Sequence, residues 1–97
     1  MISENIIKTT NTFKLLSSPT RLKILKTLFR SKDEMCVNEI AESVGMSQSA
    51  VSHQLAKLEA MDIVFCERKG KTMCYQIKKS LVTDKIKKMI SLFVEIK

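Results

Sequence analysis

The sequence predicts one α+β domain, mostly helical, in the order helix, helix, helix, helix, hairpin, helix. Three observations lead there. Apolar residues recur at helical spacing over most of the 97 residues. The period falls to two in a single stretch, IVFCERKGKTMCYQI. Punctuation is sparse, with Pro19 the only proline and Gly45 and Gly70 the only glycines. Residues 1–97 are too few for two independent cores, and a chain of this size buries roughly 60–70% of its unfolded surface, so a second copy would add stability.

The first helix spans about residues 3–16 and carries Ile6, Thr10, Phe13 and Leu16 on one side, with Ile2 and Leu15 nearby. Ser17-Ser18-Pro19-Thr20 ends it and starts another, Ser18 as N-cap and Pro19 at the first helical position. The second helix is expected to bury Leu22, Leu25 and Phe29, with Ile24 and Leu28 beside them. A short third helix runs from Cys36 to Gly45, its apolar side formed by Val37, Ile40, Ala41 and Val44. Gly45 suits the left-handed position after a helix, and Ser47 caps the next one. Two short helices joined by a glycine turn make a helix-turn-helix.

Beyond Asp62 come two short strands around the polar tip Arg68-Lys69-Gly70-Lys71. Phe65, Met73, Tyr75 and Ile77 are expected on the apolar side of this hairpin. The last helix, Leu81 to Lys97, carries Val82, Ile86, Met89, Ile90, Phe93 and Val94. A helix-turn-helix followed by a hairpin with a basic tip is a winged helix-turn-helix.

The net charge of +7 is concentrated in one region. Residues 68–88 hold eight lysines and arginines against Asp84 alone, an excess of seven, while residues 33–46 hold Asp33, Glu34, Glu39 and Glu42 and no base. Such asymmetry suits a polyanion met on one face, although lysines also simply solvate surfaces. No apolar run approaches the roughly 20 residues of a membrane span, and MISENIIKTT lacks the pattern of a secretory signal. Three cysteines are an odd number with no paired framework, so a reducing cytoplasmic setting is expected.

The fourth helix, within SQSAVSHQLAKLEAMD, decides the function class. At 100° per residue, Val51, Leu55 and Leu58 form its buried stripe. The opposite side collects Ser49, Ser52, His53, Ala56, Lys57 and Ala60, with Gln48 in the first turn. Small side chains let a helix sit deep in the major groove, while Ser, His and Gln can bond base edges and phosphates. Taken alone, Ser and Ala on an exposed helix decide nothing. The turn at Gly45 and the basic tip at Gly70 together assign Gln48, Ser49, Ser52, His53, Lys57, Arg68, Lys69 and Lys71 to DNA. His53 has no second histidine, and no cysteine three or four residues away, to form a metal site with; idle exposure is its other reading.

The segments LLSSPTRLKILKTL, EMCVNEIAESVGMSQSAVSHQLAKLEAMDIV and RKGKTMCYQI together resemble the ArsR/SmtB family of repressors over about residues 13–78. The resemblance implies a cytoplasmic homodimer paired through its first and last helices. It also implies that the fourth helix reads the major groove, that the wing lies near the minor groove, and that an inducer releases an inverted-repeat operator. Family metal sites look incomplete here. One uses CVC where this chain has Cys36-Val37-Asn38. Another falls on Lys79, Leu81, Leu92 and Glu95, of which only Glu95 could bind a metal. No metal or other cofactor is therefore expected.

Cysteine sensing is the remaining question. With a three-residue loop centred on Gly70, Cys66 and Cys74 would face each other across the hairpin as a redox or thiophilic-metal pair; a two-residue loop would separate them. Cys36 is the less favoured thiol, and plain structural roles remain open for all three. The competing class is a protein-interaction adaptor, which would want a neutral wing. No pairing of nucleophile and base, or of carboxylates, suggests an enzyme.

Overall fold

The computed structural model describes residues 3–96. Ile2 and Lys97, which the periodicity adds to the first and last helices, lie outside them. The element order is α1 (Glu4–Leu16), α2 (Pro19–Arg30), β1 (Met35–Cys36), α3 (Val37–Val44), α4 (Gln48–Ala60), β2 (Val64–Lys69), β3 (Thr72–Ile77) and α5 (Leu81–Ser91). Helix starts follow the side chains present: Ser3, Ser18, Ser47 and Ser80 each accept a hydrogen bond from a backbone N–H of the first turn they cap. Gly45 ends α3 at φ 71°, a left-handed conformation that costs an L side chain energy.

One core draws on every helix. Leu15, Ile24, Leu25, Leu28, Val37, Ile40, Ala41, Val51, Leu55, Leu58, Ile86 and Ile90 are buried with Ile63, Val64 and Tyr75. On α2 the buried stripe is Ile24, Leu25 and Leu28, whereas Leu22 is exposed and Phe29 half-buried. Both sets have helical spacing, and the α2 faces that meet α3, α4 and β3 select the former. α5 stops at Ser91, short of the expected end, and Leu92, Phe93 and Val94 lie exposed beyond it.

The sheet contains a strand that the sequence reading missed. β1 pairs antiparallel with β3, giving the order β1-β3-β2. Two residues are too few for alternation to be visible. The hairpin register pairs Lys69 with Thr72, so the loop is the two residues Gly70 and Lys71, with Gly70 at φ 63°. The two-residue alternative therefore holds. It shifts the expected faces by one residue on β2: Val64 and Cys66 share a side with Tyr75 and Ile77, and Phe65 lies on the other side with Cys74 and Gln76.

Candidate nucleic-acid interface

α4 is seated by Val51, Leu55 and Leu58, each without exposed surface, as its periodicity indicated. That orientation leaves Gln48, Ser49, Ser52, His53 and Lys57 exposed on the other side. Ser47 fixes where the helix begins, its hydroxyl accepting the Ala50 N–H at 3.1 Å. The turn before it is closed by the Met46 N–H donating to the Ala41 carbonyl at 3.0 Å.

A residue that sequence reasoning missed holds α4 in place. Arg21 donates Nε–H to Gln54 Oε1 at 3.0 Å and Nη1–H to the Leu15 carbonyl at 3.2 Å. One guanidinium thus ties α4 to α2 and to the end of α1. Its two partners lie on two other helices, so no local pattern announced it.

Gln48 and Ser52 border a cleft of about 430 Å³ whose other wall is the wing, through Lys71, Thr72 and Met73. Val37 and Asn38 of α3 complete it. The structure thereby brings three predicted residues together and adds Asn38 and Thr72. The signal for Asn38 was an exposed amide in the first turn of the helix preceding α4; nothing marked Thr72.

The other wing cations point elsewhere. Arg68 Nε–H donates to the Gly70 carbonyl at 3.1 Å, across the wing tip. Lys69 forms an ion pair with Glu34, just before β1, and that hydrogen bond raises the pKa of its ammonium. His53 and Lys57 lie on the exposed side of α4, outside the cleft lining.

The cysteines differ from the expected arrangement. Cys66 opposes Tyr75 and Cys74 opposes Glu67, so Cys66 and Cys74 do not face each other. Cys74 instead forms a disulfide with Cys36, its register partner on β1, 38 residues earlier in the chain. The thiol judged least promising is thus one half of the bond, and the expectation of three unpaired cysteines is corrected. Cys66 is free and half-buried. Burial first, then a hydrogen bond with Cys66, push the Tyr75 hydroxyl up to about 12. Among the described residues, no three His, Cys, Asp or Glu side chains are grouped so as to hold a metal ion. None of the described helices is long and apolar enough to cross a membrane.

Residues 18–64, from the cap of α2 to the first residue of β2, match the family model for bacterial regulatory proteins of the arsR family. The transcriptional repressor SdpR of Bacillus subtilis is 33% identical over 81 residues, covering 84% of this chain and 88% of that protein. The chain belongs to the ArsR family. The regulator NmtR of Mycobacterium tuberculosis is 36% identical over 75 residues; these cover 77% of this chain but only 61% of NmtR. The crystal structure of NolR from Sinorhizobium fredii superimposes with a TM-score of 0.80 at 32% identity, covering 100% of this chain and 98% of that one. The fold is a winged helix-turn-helix, and the chain is a DNA-binding transcriptional regulator.

Proposed function

We propose that the chain represses transcription as a homodimer, laying α4 of each copy in the major groove of an inverted-repeat operator. The observation that carries this reading is the cleft in which Gln48 and Ser52 of α4 meet Lys71 of the wing. A polar helix face and a cation on a loop are thereby presented to one strand of duplex together. Gln48, Ser49, Ser52 and His53 would read bases or adjacent phosphates. Lys57, Arg68, Lys69 and Lys71 would meet the backbone. No resident metal or cofactor takes part, and the protein acts where the DNA is, in the cytoplasm.

The dimer is supported by what α1 and α5 leave uncovered. Ile6 (57%), Phe13 (54%), Leu81 (78%) and Phe93 (85%) are exposed. An apolar groove of about 750 Å³ between α1, α2 and the end of α5 joins Phe13, Leu16 and Leu22 to Ile90 and Phe93. A small monomer seldom exposes a patch of this kind, and a two-fold axis covers both copies at once. Selection of duplexes from a random pool, followed by sedimentation of protein and complex, tests the reading. The expected result is a palindromic site bound by two chains. Recovery of non-palindromic duplexes bound by one chain would overturn it.

A further inference from the structure

We propose that Cys36–Cys74 is a thiol–disulfide exchange site that sets the width of the operator-facing cleft, with a low-molecular-weight thiol and its disulfide as co-reactants. This rests on the reading of the chain as an operator-binding regulator, because such a protein works in a compartment where disulfides are transient, catalytic or redox-sensing rather than structural.

The geometry supplies the coupling. Cys36 precedes α3 directly, and Val37 and Asn38, the next two residues, form one wall of the cleft. Cys74 follows Thr72 and Met73, which form the opposite wall with Lys71. The bond therefore joins the roots of both walls, at Cα atoms 3.8 Å apart. Without it, what joins the walls outside the core shared by Val37 and Tyr75 is a two-residue strand and the Glu34–Lys69 ion pair, which is exposed on its lysine side. Both are weak ties in water. Breaking the disulfide lets the wing move relative to α3 and hence to α4.

The two sulfurs also differ in access. Cys74 is 1% exposed, whereas Cys36 is half-buried and is the end that an incoming thiolate reaches. A small thiolate attacks Cys36 Sγ, forming a mixed disulfide and breaking the bond to Cys74, whose thiolate takes up a proton. A second thiolate attacks the small-molecule sulfur of that mixed disulfide and releases Cys36 as a thiolate, which is protonated in turn. The protein gains two electrons and two protons, and two thiols leave as one disulfide. Oxidation is the reverse. Cys66 takes no part, since it lies on the other face of the hairpin against Tyr75.

The test uses the full chain equilibrated in oxidised or reduced glutathione, quenched in acid, unfolded, alkylated and weighed. One alkylated thiol (Cys66) is expected after oxidised glutathione and three after reduced. Three in both states would overturn the inference. Affinity for a duplex selected by the protein should be about fivefold weaker in the reduced state, because the wing must then be ordered on binding. Cys66→Ser should keep that response. Cys36→Ser should lose it and bind as the reduced protein does; this site is half-buried, so the test survives even if Cys74→Ser does not fold. Equal affinity in both states would sink the exchange site while leaving operator binding intact. Absence of binding in both would sink the operator reading and this inference together.

Discussion

α4 and α1 are both 13 residues long, and the fold treats them in opposite ways. α4 buries Val51, Leu55 and Leu58 and shows the solvent serines, a glutamine, a histidine and a lysine. α1 buries Leu15 alone and leaves Ile6, Ile7 and Phe13 outside. One helix has its apolar residues inside the monomer and a polar face outside. The other leaves its apolar residues exposed, where the proposed second chain would cover them. The dimeric, DNA-bound regulator proposed above needs both kinds of helix, and the contrast can be broken from either side.

The largest effect is expected on the apolar side. Phe13→Glu puts a charge on each copy within the surface assigned to the second chain. Because Phe13 is more than half exposed in the monomer, the fold should survive. Sedimentation should show monomers. Operator affinity should fall by about 100-fold or more, since two half-sites are no longer engaged by one linked pair. A variant that stays dimeric and binds normally would remove α1 from the interface.

On the polar side the effect is smaller and local. His53→Ala leaves the α4 stripe untouched and should cost about 1–3 kcal/mol of operator affinity, lost mainly against the selected sequence rather than random duplex. Titration of both duplexes separates the two. Equal losses on both would make His53 a phosphate contact, and unchanged affinity would make it idle.

The Glu34–Lys69 ion pair lies between these regions and gives a finer comparison. Lys69 was assigned to the DNA backbone, yet an acid from the segment before β1 holds it. Glu34→Gln removes that competitor for the ammonium. If Lys69 then turns to a phosphate, affinity at low salt should rise a few-fold. The slope of log affinity against log salt should also steepen by about 0.9, one counterion's worth on duplex DNA. An unchanged slope would mean that Lys69 already leaves Glu34 when DNA binds.

The two helices also explain what could be read in advance. On α4 the buried stripe is set by the chain's own core, so periodicity identified Val51, Leu55 and Leu58 and, by subtraction, the exposed polar face. On α2, Leu22–Leu25–Phe29 and Ile24–Leu28 both fit helical spacing, and only the packing of neighbouring elements separates them. Past Ser91, where α5 ends, Phe93 and Val94 continue the apolar pattern although both are exposed. The hairpin register hung on whether Gly70 is centred in the loop or leads it. Pairings across long separations, Arg21 with Gln54 and Cys36 with Cys74, had no local signature at all.

Tyr75 provides the smallest effect and reports the Cys66 contact that this register creates. It is the only tyrosine, and the chain has no tryptophan, so phenolate absorbance in the near ultraviolet reports this residue alone. The register sets Cys66 opposite this buried side chain, and burial followed by that hydrogen bond raises its pKa to about 12. The folded state therefore holds the phenol proton more tightly than the unfolded chain, whose tyrosine titrates near 10. Stability from this group is fully present below about pH 10 and is lost as the pH rises toward 12, where the unfolded state has already released its proton. The titration midpoint should be near 12 in native protein and near 10 in denaturant. Tyr75→Phe should flatten the decline in stability over that interval. A native midpoint near 10 would put the ring in solvent, away from Cys66.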